Sequence, residues 1–281
     1  MTPITRRDIL AHQTVVPWAA QYQAEQDLLL CRAMVALFDD SFLSGQIAMR
    51  GGTLLHKAHL APASRYSEDI DLVAVGTHPE NHTSRGIRRV LKEVWGKPKT
   101  SAWAWLKLAL RNAAQPSRIL RLTYSLPSII EPGRMLELVV ETNVTERRSH
   151  RAIVDIPFRF PFRDETMQTI IKGYDIHEML GTKLRALFQR ERGRDLFDLY
   201  WALTQSAHPV DPTLIIESFQ YYMKKEGTKA GRAEFIGILD ARLNHSGFCS
   251  DMKSLLRRGI AYDPQLAGSY VKANLLNLLP I

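Results

Sequence analysis

The chain has 281 residues, enough to bury a sizeable core in one large domain or two small ones, and carries a formal net charge of +8. That surplus of cations points to polyanions rather than a membrane, and no apolar run approaches the ~20 residues needed to span a bilayer. Cys31 and Cys249 stand far apart without CxxC spacing, which argues against a disulfide framework or zinc site and reads as buried thiols in a reducing cytosol. The first eight residues lack the apolar core of a signal peptide, so the expectation is a soluble cytoplasmic protein with no membrane partner. Residues 5 to 40 read as helical scaffold. Thr5-Arg-Arg-Asp8 has capping-box spacing, Pro17 interrupts the pattern, and Tyr22 to Phe38 forms a longer helix that turns Leu28, Leu29, Met34, Val35 and Phe38 toward a sheet.

Residues 46 to 75 organise the rest. A short apolar run, Ile47 to Met49, meets Gly51 and Gly52, and Thr53 opens a stretch bearing Leu54, Leu55, Ala58 and Leu60, so strand, tight turn and helix follow one another. Two adjacent glycines let the backbone approach an anion, and the free N–H groups of a helix's first turn favour negative charge there. Sixteen residues after Thr53, Asp69 and Asp71 flank Ile70 and run into Leu72, Val73 and Val75, a second strand. Alternation puts both aspartates on one face, about 6.5 Å apart at Cα, from where both can reach one divalent cation or a close pair. Taken alone, the glycine turn is only a turn and Asp-x-Asp a polar strand end; in this order they suit chemistry on a nucleoside triphosphate.

Gly51-Gly52-Thr53 with Leu55 and Lys57, followed by Ser67-Glu68-Asp69-Ile70-Asp71-Leu72, resembles the first motif of the AbiEii/AbiGii abortive-infection toxins, members of the DNA-polymerase-β-like nucleotidyltransferase superfamily. The resemblance implies that Gly51, Gly52, Thr53, Lys57 and Ser67 bind the nucleotide, with Asp69 and Asp71 as metal ligands and catalytic residues.

Residues 76 to 84 read as a loop whose His78 and His82 are solvated. From Arg85 to Arg121 the chain carries ten basic residues and one acid, Glu93: Arg85, Arg88, Arg89, Lys92, Lys97, Lys99, Lys107, Arg111, Arg118 and Arg121, interleaved with Trp95, Trp103 and Trp105. Such a field can neutralise several phosphates, while exposed rings stack on unpaired bases; the tryptophans could equally be core. A polyanion, RNA foremost, is the expected partner, with Arg85, Arg88, Arg89 and Lys92 among its contacts. Arg118 to Leu126 and Arg134 to Thr142 alternate and form a hairpin. On its second strand Glu137, Val139 and Glu141 share a face, and either glutamate could be a third metal ligand. Glu141-Thr-Asn-Val-Thr-Glu146 resembles the family's Glu-x-Asn-x-x-Glu pattern, which implies Glu141.

Between 150 and 174, Ile153 to Pro157 and Met167 to Ile171 read as edge strands at a junction, the first broken by Pro157 and Pro161. Asp175 caps a helix, with Glu178 reaching back, that turns Met179, Leu180, Leu184 and Leu187 inward. Gly193 is expected to end this helix, and Arg194-Asp195 to start another in which Arg194 and Asp198 are spaced for an ion pair. Gly181 to Leu187 and Gly193 to Leu199 resemble the second conserved block of the AbiEii-type toxins. That resemblance implies that Lys183 holds the triphosphate and that Asp195 sits in the active site, anchoring Lys183 or an arginine; Arg190 and Arg194 are further candidate RNA contacts. Residues 205 to 281 form a helical tail, with Lys224, Lys225, Lys229, Arg232, Arg257 and Arg258 available to a nucleic-acid groove.

The expected fold is α+β: a polymerase-β-like mixed sheet flanked by helices over residues 1 to 170, followed by a C-terminal helical domain, 171 to 281, that completes the cleft. The resemblance implies a toxin of a type IV toxin–antitoxin or phage-defence system. It would use Mg²⁺ or Mn²⁺ to transfer a nucleotide from an NTP to the 3′ end of tRNA, as a monomer with a separately encoded antitoxin. Two other readings remain: nucleotidyl transfer to a protein or small molecule, and a non-catalytic nucleic-acid-binding module.

Overall fold

A computed structural model describes residues 2–96, 98–108 and 117–280. Helix α1 (Arg6–Val15) opens on the expected capping box, in which the Thr5 N–H donates to Asp8 Oδ2 at 2.8 Å and the Asp8 N–H to Thr5 Oγ1 at 3.3 Å. Helix α2 (Gln21–Asp39) is buried nearly all round, polar Gln23, Glu25, Gln26, Asp27 and Arg32 included, with Leu28, Leu30, Ala33, Met34 and Leu37 fully buried.

Among the described residues there are seven strands, β1 (Ile47–Arg50), β2 (Asp69–Ala74), β3 (Thr100–Leu108), β4 (Ser117–Pro127), β5 (Met135–Asn143), β6 (Val154–Phe162) and β7 (Glu165–Gly173). They form one mixed sheet in the order β3-β4-β5-β2-β1-β7-β6, with β2–β5 and β1–β7 parallel and the other pairs antiparallel. Two helices precede and follow its centre: the short α3 (Gly51–Leu54), continued by a π turn over Leu55–His59, and α4 (Glu80–Trp95).

Strand alternation separates two faces with different uses. Ile70, Leu72, Leu122, Tyr124, Leu138 and Val140 are buried toward α2 and α4, where the Trp95 ring packs on Tyr124 at 5.2 Å and donates to Leu29 O at 3.0 Å. Asp69, Asp71, Arg121 and Glu141 lie on the other face, because Asp71 and Arg121 both stand opposite Glu141 in the register.

Several expectations change here. Helix α4 begins at Glu80, inside the expected loop, and β3 arises within the basic stretch read as a charge field. Pro157 and Pro161 do not break β6: they lie four residues apart on an edge strand, so both missing N–H groups fall on the same side of the strand, as an edge strand can accommodate. β7 continues to Gly173, and the helical part begins with α5 (Ile176–Gln189). Then follow α6 (Gly193–Gln205), α7 (Pro212–Lys225), α8 (Arg232–Leu243), α9 (Ser246–Ser250) and α10 (Pro264–Asn274).

Asp175 does cap α5, but Glu178 is fully buried and accepts from the His150 and Arg151 N–H groups and from Tyr222. Gly193 begins α6 instead of ending α5; a Cβ there would lie 2.2 Å from Phe248 O, so close approach of α9 is what requires glycine. The helical part folds back on the sheet where the Tyr66 N–H donates to Leu255 O at 2.7 Å and the Arg257 N–H to Ser64 O at 2.9 Å. Among the described residues no helix is long and apolar enough to cross a membrane.

Candidate active site

The glycine turn is shaped by the carboxylate beside it. Gly51 has φ +83°, and a Cβ there would lie 1.9 Å from Asp71 Oδ2; at Gly52 a Cβ would meet Arg65 Nη2 at 2.5 Å. Both glycines are therefore required by close approach, the first also by its backbone conformation. Thr53 is fully buried, with its hydroxyl bonded to Ser67 Oγ at 2.7 Å and to the Asp69 carbonyl. It ties the turn to the start of β2 instead of facing a ligand.

A cleft of about 280 Å³ opens on this side, lined by Gly52, Ser67, Glu68 and the three candidate metal ligands Asp69, Asp71 and Glu141. The two glutamate alternatives separate here: Glu141 stands opposite Asp71 in the register, whereas Glu137 lies beyond Asp69 on β5 and does not line the cleft. Desolvation, then the charges of Asp71, Glu68 and Glu141, push Asp69 up to about 7. Asp71 is also raised, by desolvation, although Arg50 opposes the rise. Anions crowded in this way favour a divalent cation, and a set of hard oxygen donors suits Mg²⁺ or Mn²⁺. As they stand, the three carboxylates do not all come within 4.8 Å of one another, and Glu141 is drawn to Arg121, whose Nε donates to Oε1 at 2.7 Å.

The opposite wall comes from the helical part. Lys183 on α5 places Nζ 3.2 Å from Asp195 Oδ1 and 2.8 Å from Asp198 Oδ2. Arg190 closes a fork on Asp195 at 2.8 and 2.9 Å. Asp195 thus anchors both Lys183 and an arginine. Asp198 turns inward and not to Arg194: it takes Arg65 Nε at 2.6 Å and Nη2 at 2.8 Å, and His56 Nε2 at 2.7 Å.

Burial would raise both fully buried aspartates. Lys183 and Arg190 nevertheless hold Asp195 below the usual carboxylate range, and Arg65, Lys183 and His56 hold Asp198 well below it. Desolvation and Arg65 depress His56 to about 4. The ring is therefore neutral near pH 7, with Nε2–H donating to Asp198 and Nδ1 accepting from Ser64 Oγ at 3.0 Å. Arg65, His56 and Asp198 are not among the site residues expected from the sequence. Only Asp198 had a local signal, three residues after Asp195 on the same helix; the other two reach the site through tertiary contacts.

Other candidates are placed elsewhere. Lys57 is buried and its ammonium sits on both Asp27 oxygens, away from the cleft, because a four-carbon stem on the inner side of the π turn points into the core. His12, Asp27 and Cys31 bring three possible metal-ligand atoms within 4.8 Å, but Lys57 and Trp18 already engage that carboxylate. Burial pushes the Cys31 thiol up, as an inert core cysteine requires, while Cys249 is only partly buried.

Arg85, Arg88, Arg89 and Lys92 ride on α4, against the sheet face opposite the carboxylates. Arg89 is paired with Asp40 at 2.6 Å, and Arg88 lies 5.6 Å from the centroid of the exposed Trp103 ring. Arg118 pairs with Glu80 at 3.4 Å on that same side. Lys97 and Arg111 lie outside the described residues, as do the side chains of Trp105 and Lys107. Arg190 and Arg194 do line the cleft. Arg232, Arg257 and Arg258 donate to backbone carbonyls, which makes them clamps for the tail.

A family model described as nucleotidyl transferase AbiEii toxin, type IV TA system, matches residues 32–267. No curated protein sequence matches the chain. Among solved structures the chain is similar to MenT4, a nucleotidyltransferase toxin from Mycobacterium tuberculosis H37Rv, with a TM-score of 0.62 and 18% identity over 99% of this chain and 91% of that one. At that identity the likeness is one of fold.

Proposed function

The chain belongs to the AbiEii family of nucleotidyltransferase toxins of type IV toxin–antitoxin systems, and from that premise we propose that it transfers a nucleotide from an NTP to an RNA hydroxyl, the 3′ end of tRNA foremost. The observation that carries this reading is one cleft with two opposed walls: Asp69, Asp71 and Glu141 on the sheet, and Lys183, Arg190 and Arg194 on the helices. The three carboxylates would hold Mg²⁺ or Mn²⁺. Such a cation, when bound, neutralises the triphosphate and activates the attacking oxygen.

The chain's own residues do the rest. Gly52 and Ser67 bring backbone and a hydroxyl to the phosphates. Lys183, pinned by Asp195 and Asp198, presents its charge to the β- or γ-phosphate in a fixed place, so little reorganisation is needed as leaving-group charge grows. The acceptor oxygen attacks the α-phosphorus in line, the bond to the β-phosphate oxygen breaks, pyrophosphate leaves, and the hydroxyl proton passes to a carboxylate. Arg190 and Arg194 meet the acceptor's phosphates.

Every group named comes from one chain, which fits a monomer. Residues 171–281 act as the second wall of the cleft, and a tRNA acceptor would put the reaction in the cytoplasm. The partner implied by the family is an antitoxin.

Incubating the purified chain with each labelled NTP, Mg²⁺ and total tRNA tests the reading. Label in RNA is the expected result. Label in protein or a small molecule would move the acceptor to another class, and RNA binding without label would leave a non-catalytic module.

A further inference from the structure

Of the three carboxylates, Glu141 is the one held by a direct ion pair among the described residues. Arg121 faces it across the β4–β5 ladder, with Nε 2.7 Å from Oε1 and Nη2 on the same oxygen. Four other cations near the cleft are tethered by anions with no part in the trio: Lys183 and Arg190 by Asp195, Arg65 by Asp198, and Arg50 by Glu146. Arg121 is tethered by a candidate metal ligand. Whatever cation enters the trio must therefore compete with this guanidinium for Glu141.

The geometry favours an exchange over a permanent lock. The Arg121 side chain is 49% exposed, so an ion pair there is weak and cheap to break. Its backbone is laddered to β3 on one side and β5 on the other, which confines any movement to the side chain. Once Glu141 turns to a cation, the guanidinium is left in the cleft without a counter-ion. The anions delivered to this cleft are phosphates, which a planar guanidinium fork matches in two parallel hydrogen bonds.

We propose that Arg121 is an exchangeable counter-ion: it holds Glu141 aside in the metal-free protein, releases it to the divalent cation, and passes to a substrate phosphate. Cation and phosphate binding are thereby coupled through one side chain. The inference rests on the metal-site reading above.

Mn²⁺ binding to the full chain, followed by electron paramagnetic resonance without nucleotide, tests the first half in Arg121→Gln, Arg121→Lys, Glu141→Gln, the Arg121→Gln/Glu141→Gln double variant and Asp71→Asn. Asp71→Asn should abolish binding. Arg121→Gln should tighten it about fivefold, the equivalent of a weak exposed pair, and should have no effect once Glu141 is Gln. Arg121→Lys, which keeps the charge without the fork, should tighten it less.

Binding that is lost in Asp71→Asn yet unchanged in Arg121→Gln would overturn the exchange and leave the carboxylate site standing. Tightening that persists in the Glu141→Gln background would overturn it too, since general charge would then suffice. If no Mn²⁺ binding depends on Asp71, the site reading falls and this inference with it.

The second half is read with Mn²⁺ present. Weaker affinity of Arg121→Gln for an α,β-methylene triphosphate analogue assigns the phosphate to the nucleotide, and weaker affinity for tRNA assigns it to the acceptor backbone. Unchanged affinity for both would refute the hand-over.

Discussion

Replacing Gly51 with alanine tests the coupling between the glycine turn and the aspartates more sharply than removing a carboxylate does. At φ +83° an L side chain carries roughly 1–2 kcal/mol of strain. The added methyl would also sit 1.9 Å from Asp71 Oδ2 and 2.6 Å from its Cγ, so the carboxylate must yield by on the order of 1 Å or more before ordinary contact is restored. A displacement of that size at a reacting centre costs about 10²-fold in rate. Gly51→Ala should therefore melt a few degrees lower, fold to the same secondary structure, and transfer at most about 1% of the parent's nucleotide in a single turnover. The assay is single-turnover transfer from a saturating labelled triphosphate, read beside urea denaturation. A Gly51→Ala rate within threefold of the parent would refute the reasoning, because it would mean that the position of Asp71 next to the turn does not matter.

Three further outcomes follow from the same contacts. Lys57→Met should cost about 3–5 kcal/mol in urea denaturation, since it strands the buried Asp27 carboxylate, while the folded fraction keeps its affinity for triphosphate; a normal melt with lost nucleotide binding would return Lys57 to the cleft. Asp69 binds its proton more tightly folded than unfolded, so its contribution to stability is complete below the ordinary value of 3.8 and is lost as pH rises through about 7. The metal-free protein should accordingly lose stability across that window and Asp69→Asn should flatten the loss, with divalent-cation affinity rising over the same range; equal slopes in both proteins would contradict the shift. Lys183→Ala should lower the single-turnover rate by about 10²-fold or more, with Lys183→Arg recovering only part. Because Asp195 and Asp198 lose a partner, Lys183→Ala should also destabilise the fold by roughly 1–3 kcal/mol; a rate within threefold of the parent would remove Lys183 from the triphosphate site.

The sequence alone determined what depends on neighbours along the chain. The Thr5–Asp8 capping box, the glycine turn after a short strand, the Asp69/Asp71 pair on one face and the β4–β5 hairpin all follow from spacing of two to four residues, where local geometry decides. The family resemblance rested on these same local patterns and on the block from Gly181 to Leu199.

Tertiary structure decided wherever two distant segments compete for one charge. Lys57 follows the glycine turn closely enough to suggest phosphate, yet Asp27 on α2 takes it into the core. Asp198 has a basic neighbour at helical spacing, yet Arg65, 133 residues away, claims it. Glu137 and Glu141 are equivalent by alternation, and only the parallel register with β2 tells them apart. The basic stretch is continuous as sequence, but strand parity turns Arg121 to the carboxylates while the cations of α4 ride on the opposite face. One-dimensional spacing specifies which face of its own element a residue occupies; which partner waits on that face is set by long-range packing, where burying an unpaired charge costs more than any local preference supplies.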